Sequence, residues 1–141
     1  MAEPTVEDRV LIRELYDRAL WALNNGEPDV VLALHDPEME TDRWDGAKSG
    51  VDGAAKAAAA WPSDPVNRTR QHHITTFIVD PDPEGREDHC AVRFYFLVTE
   101  VKEPPRIDIR WSCYSRDIVR KVDGRWLIWR RDIKLNHDST A

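Results

Sequence analysis

The chain has 141 residues, with 20 Lys and Arg against 26 Asp and Glu, a net charge of −6 and a pI near 5.3. This length suits a single domain over residues 1–141 with a core that needs no covalent staples, and an acidic balance with interleaved signs argues against a nucleic-acid partner. No apolar run reaches the roughly 20 residues of a bilayer span, the N-terminus lacks a signal-peptide layout, and Cys90 and Cys113, without CxxC spacing, read as buried free thiols, so the expectation is a cytoplasmic protein with no membrane partner.

Thr5 followed by Asp8 marks a helix start. Ile12, Leu15, Tyr16, Ala19 and Leu23 then recur at helical spacing until Asn25-Gly26 supplies a stop. A short second helix is predicted over Asp29–Leu34 after Pro28, closed by His35-Asp36-Pro37. A third, from about Gly50 to Ala60, is nearly all alanine on one side, which would permit close approach to a sheet. It ends at Trp61-Pro62. Residues 63–70 read as a polar loop, His72–Val79 as an alternating strand, Asp80–Asp88 as a turn region and His89–Val101 as a long strand. Pro104-Pro105 punctuates the chain before two strand-forming runs, Trp111–Val122 and Trp126–Leu135, which flank Asp123-Gly124. An Asp-Gly pair in that setting signals a type I′ hairpin, because both central residues must take positive φ. Helices followed by antiparallel strands make an α+β fold with helices on one face of a curved sheet.

The run Cys113-Tyr114-Ser115-Arg116-Asp117, continued by Ile118 to Arg131 through Asp123-Gly124-Arg125-Trp126, closely resembles the final hairpin of SnoaL-like proteins. These belong to the nuclear transport factor 2-like superfamily, with scytalone dehydratase, hexachlorocyclohexane dehydrochlorinase and ring-hydroxylating dioxygenase small subunits as relatives. Ile12-Arg13-Glu14-Leu15-Tyr16 is similar to the family's first helix, and Arg70-Gln71-His72-His73-Ile74 to the strand carrying its histidine. The resemblance implies a cone-shaped, curved, mixed or antiparallel sheet with about three N-terminal helices on its concave face. It implies a small-molecule ligand, no cofactor and a homo-oligomer, dimeric or trimeric. For the reaction it implies a lyase, isomerase or cyclase working by proton transfer at carbon. The alternative it leaves open is an assembly or binding subunit similar to a dioxygenase small subunit, since this scaffold hosts unrelated functions.

In the dehydratase-like relatives a strand histidine removes the proton and a first-helix aspartate supports it. His72 matches the histidine, and strand parity gives it Ile74, Thr76 and Ile78 as companions on one face, with His73 on the other. That opposition, and the absence of zinc-type spacing elsewhere, argues against a metal site. The aspartate position falls on Asn24, which can hold an imidazole but cannot offset its charge. Three readings follow: His72 acts with Asn24 positioning it; a carboxylate from the loop after the second helix, Glu40, Asp42 or Asp45, replaces the lost one; or the pocket binds without catalysing. Asp42 represents the second.

The resemblance also offers ligand contacts, each with a plainer alternative. Tyr16 is a pocket hydroxyl or core. Cys113 and Ser115, on one face with Trp111 and Asp117, are small substrate contacts or simply packed. Tyr95 lies where a relative carries a second histidine, with its parity open between neighbouring phenylalanines. Arg131 binds an anionic group or pairs with Asp117 or Asp132. Trp44 and Trp61 cover the cone mouth or pack in the core. His35, His89 and His137 are expected at solvated element ends.

Overall fold

The computed structural model describes residues 3–103 and 106–136, so Pro104-Pro105 and His137 lie outside the described residues. Helix α1 spans Val6–Asn25. Its entry is a capping box in which the Thr5 side chain accepts from the Asp8 N–H and the Asp8 carboxylate accepts from the Thr5 N–H, each over 3.0 Å. Its exit is Gly26 at φ 70°, and the N–H of this cap bonds back to Ala22. Helix α2 follows at Pro28–Leu34 and helix α3 at Val51–Ala60. Within α3, Ala58 packs with Ala22 of α1 and Val31 of α2, while Val51 and Ala54 pack against the core that the sheet shares with α1.

Among the described residues six strands form one open mixed sheet: β1 His35–Arg43, β2 Lys48–Gly50, β3 Arg70–Pro81, β4 His89–Val101, β5 Ile107–Val122 and β6 Arg125–Leu135, in the order β2-β1-β6-β5-β4-β3. The β5–β6 hairpin turns at Asp123 and Gly124, with φ 50° and 77°. Those values meet the requirement of the type I′ turn. All neighbouring pairs are antiparallel except β1 with β6.

Two features depart from the sequence reading. The segment expected as a loop after α2 is strand β1, with an irregular register between His35 and Glu40 around Pro37. The face expected to carry His72, Ile74, Thr76 and Ile78 is broken after Ile74. The β3–β4 register shifts between Thr75 and Ile78, and Thr76 sits at φ 53°. An extra residue in a strand reverses the parity beyond it, so Phe77 and Val79 turn inward while Ile78 is exposed.

The core lies between α1 and the inner face of β3–β6. Ile12, Leu15, Tyr16 and Ala19 meet Val92, Phe94, Phe96, Val98, Cys113, Val119 and Ile128. Tyr16 stands edge-on to Phe77 and Phe94 at centroid distances of 5.4 and 5.0 Å. Among the described residues no helix is long and apolar enough to cross a membrane.

Candidate functional site

A cavity of about 260 Å³ opens between the sheet and the ends of α1 and α3. Leu20 and Leu23 from α1, Ala57 from α3, Phe94, Phe96 and Val98 from β4, Trp111 and Cys113 from β5 and Ile133 from β6 supply its apolar walls. Trp44, Trp61, His72, Arg43 and Arg131 complete the lining, and among the described residues no carboxylate joins it. An apolar enclosure with a few convergent polar groups is the ordinary form of a small-molecule site.

His72 enters the cavity from β3, opposite Val98 of β4. Its ring lies 5.2 Å from that of Trp61 and 6.2 Å from that of Phe96. His72 Nδ1 is 2.8 Å from Asn24 Oδ1. The amide oxygen can only accept, so Nδ1 carries the proton and Nε2 keeps its lone pair. Burial lowers the His72 pKa to about 4, with the charges of Arg131 and His73 acting in the same direction. Without a carboxylate on Nδ1, nothing opposes that descent.

Behind the cavity lies a buried polar cluster centred on Asp117, which is 2% exposed. Its carboxylate accepts from the Tyr16 hydroxyl at 2.7 Å, from Arg131 Nε at 3.1 Å and from the Ser115 hydroxyl. Burial, followed by the Asp117 charge, raises the Tyr16 hydroxyl well above its ordinary pKa, so it remains a donor. Arg131 thus joins two layers. Its Nε is fixed to Asp117, it lines the cavity, and its terminal nitrogens have no hydrogen-bond acceptor among the described residues.

Other expected contacts fall elsewhere. Tyr95 requires correction: Phe94 and Phe96 take the inward parity of β4, and Tyr95 is 46% exposed on the outer face, beside Tyr114 in a separate groove. Asp42 also requires correction. It is exposed on β1, faces Lys48 at 3.3 Å and borders an outer charged groove, because Thr41 has the inward parity. Glu40 lines that same groove, and Asp45 pairs with Arg43 at 3.4 Å. Tyr16 and Ser115 are buried behind the cavity, whereas Cys113, Trp44 and Trp61 line it. Burial pushes the Cys113 thiol up to about 11, with the Arg43 charge opposing. His35 is buried rather than solvated and bonds through Nδ1 to the Val31 carbonyl at 2.7 Å. His89 is half-buried, with its ring 5.1 Å from that of Trp129.

Arg43 is the charged cavity residue that sequence reasoning overlooked. It closes β1, opposite Ile133 of β6, and its guanidinium lies 4.8 Å from the Trp44 ring. No local motif marks it, since the strand that positions it was itself unrecognised. Trp111 had a visible signal in its shared parity with Cys113. Among the described residues no cluster of three or more His, Cys, Asp or Glu could hold a metal ion.

A family model described as a SnoaL-like domain matches residues 4–132. No curated protein matches the chain. Among solved structures, an NTF2-like protein with a cystatin-like fold from Novosphingobium aromaticivorans is 19% identical, with a TM-score of 0.82 over 95% of this chain and 85% of that one. A scytalone dehydratase-like protein from the same organism is 21% identical, with a TM-score of 0.76 over 94% and 86% of the two chains. ActVI-ORFA from Streptomyces coelicolor is 16% identical, with a TM-score of 0.75 over 91% and 96%. These likenesses concern the fold, while the family match runs through both the His72 strand and the final hairpin: the chain belongs to the SnoaL-like domain family.

Proposed function

We propose that the protein is a cofactor-independent lyase, isomerase or cyclase that removes a proton from carbon next to a carbonyl in a small, largely apolar molecule. The observation that carries this reading is the His72–Asn24 contact, which leaves Nε2 as an unprotonated acceptor in the cavity. In the reaction, Nε2 takes the proton from the α-carbon and the bonding electrons move into the carbonyl. The resulting enolate oxygen is met by the terminal nitrogens of Arg131, a cation already fixed by Asp117. Expulsion of a β-substituent, reprotonation at another carbon or attack on a second carbonyl then completes elimination, isomerisation or cyclisation, and the imidazolium returns its proton. The family membership and the scytalone dehydratase-like fold relative support this class of chemistry.

The assembly-subunit alternative expects a filled cone and a histidine bonded to backbone. Catalysis expects an open apolar pocket in which His72 meets at least one carboxylate. The open cavity and the side-chain partner of His72 support it, while no carboxylate joins the lining among the described residues, so in this reading Asn24 and Arg131 serve in its place. A homo-oligomer in the cytoplasm remains part of the proposal, and light scattering would measure the assembly directly.

The test is exchange of α-protons of 2-tetralone with deuterated solvent, followed by NMR. Wild-type protein should accelerate the exchange. His72→Ala should abolish that acceleration while leaving the melting temperature almost unchanged. Retained acceleration together with a large loss of stability would sink the assignment.

A further inference from the structure

The proposed proton transfer needs one cation, to face the developing enolate, yet two arginines line the cavity. Among the described residues no carboxylate in the lining balances them. Arg131 has its counter-charge in the wall, at Asp117. The carboxylate partner of Arg43, Asp45, lies on the turn after β1 at 3.4 Å, and both side chains remain more than two-fifths exposed. An ion pair of that kind in contact with water contributes little and exchanges readily for a better partner. The polar lining is therefore rich in donors and positively charged, within a chain whose net charge is −6. The overall charge would repel an anion, so the positive lining reads as a local provision for one.

We propose that the natural ligand is a small aromatic or polycyclic acid, ionised when it binds, whose carboxylate is held by Arg43 at the cavity mouth while its rings lie among Trp44, Trp61 and Trp111. Guanidinium is suited to this task because its planar fork matches a carboxylate with two parallel hydrogen bonds. Arg43 is also braced for it. Its position at the end of β1 is set by pairing with Ile133 and by a tight turn in which the Arg43 N–H bonds to Ala47 at 3.1 Å and its carbonyl accepts from Gly46 at 3.0 Å. Stacking on Trp44 restrains the guanidinium itself. Its charge reaches inward as well as outward, since it opposes the upward shift of the buried Cys113 thiol. Burial is the main cause that holds His72 down, and a bound carboxylate would offset only the smaller contribution of the Arg131 charge. This inference rests on the proposed reaction for the role of Arg131, but the ligand charge is measurable without turnover.

The experiment compares 2-naphthoate with its neutral isostere 2-naphthamide by calorimetry at pH 7, using the full chain, Arg43→Gln and His72→Gln. The naphthoate should bind wild type at least tenfold more tightly than the amide. That preference should shrink to within about twofold in Arg43→Gln, with an unchanged melting temperature, and persist in His72→Gln. Equal affinities, preference for the amide, or no binding of naphthoate at millimolar concentration in wild type would overturn the proposal. So would an undiminished preference in Arg43→Gln. The outcomes separate from those of the proton-transfer reading: a charge preference without α-proton exchange overturns that reaction alone, and exchange without a charge preference overturns only the acidic ligand.

Discussion

Asn24 Oδ1 accepts the Nδ1 proton of His72 over 2.8 Å, and this contact between the end of α1 and the start of β3 sets the chemistry available to the imidazole. It selects the tautomer without supplying charge. Replacing Asn24 by aspartate should raise the His72 pKa from about 4 towards or above its ordinary value, because a carboxylate on Nδ1 stabilises the imidazolium. NMR titration of the His72 ring checks the direction. In the α-proton exchange assay, wild type should show no loss of activity attributable to His72 between pH 8 and pH 5. Asn24→Asp should gain an acidic limb nearer neutrality, as the base becomes protonated there. An unchanged titration would mean that the amide does not govern the histidine.

Asp117 holds three donors at once, and its removal should be felt as stability before it is felt as chemistry. Asp117→Asn leaves Arg131 without its carboxylate in a largely buried setting. Breaking such a pair from one side costs about 3–5 kcal/mol. Tyr16→Phe removes only one donor to a charged group, a loss of about 1.5–3 kcal/mol. Urea denaturation should therefore rank the variants wild type, Tyr16→Phe, Asp117→Asn in falling stability. The double variant Arg131→Met/Asp117→Asn should recover part of the loss by removing the orphaned charge. A double variant less stable than Asp117→Asn alone would show that Arg131 stabilises the fold by itself.

The readability of this molecule follows the range of the interactions that shape each part. The Thr5 capping box and the Asp123-Gly124 turn are set by residues within a few positions of one another, and both are visible in the chain alone. The β1 strand depends on parallel pairing with β6, far away in sequence, and beyond Pro37 its buried side chains are Met39 and Thr41, with the charged Arg43 following on the same face. No local alternation of strong strand formers announces it. The reversal at Thr76 is similarly hidden, because one extra residue changes the face of everything beyond it without changing composition. Tyr95 shows the same limit: three consecutive aromatics leave the parity open, and packing of Phe94 against Tyr16 decides it. His72, Asn24 and Arg131 were legible as family positions, whereas Arg43 was hidden by the strand that carries it.

Two buried histidines predict how stability responds to acid. His35 and His72 both have their pKa lowered to about 4, chiefly by burial, with Arg131 acting in the same direction on each. For His35, the hydrogen bond to Val31 opposes the shift. In the unfolded chain both titrate near 6.5, so between roughly pH 6.5 and 4 the unfolded state binds more protons and stability rises with pH. Their contribution is complete above about pH 6.5 and is lost as pH falls through 4. At about 1.4 kcal/mol per pKa unit, each contributes on the order of 3 kcal/mol across that window. Urea midpoints should stay level from pH 7.5 to about 6.5 and fall from there to pH 4.5, and His72→Gln should reduce that slope by about half. A midpoint independent of pH would contradict the burial of both rings.

Gly26 links the end of α1 to the turn carrying Trp61, and replacing it tests whether that join holds the cavity together. Its φ of 70° is strained for any other residue, and a Cβ there would stand 2.6 Å from Pro62 Cγ. Alanine must therefore adopt a left-handed backbone and displace the proline ring, at a cost of about 1–3 kcal/mol for the backbone alone. The displaced element is the 3-10 turn Trp61–Ser63, whose first residue packs on His72. Asn24, two residues before Gly26, holds the other side of the same ring. Gly26→Ala should thus lower stability and weaken 2-naphthoate binding together, with a blue or red shift of tryptophan fluorescence reporting movement of Trp61. Gly124→Ala, at φ 77° with open space around it, should cost comparable backbone strain while leaving the cavity unchanged. Equal damage to ligand binding in both variants would mean that the loss tracks global stability rather than the join at Gly26.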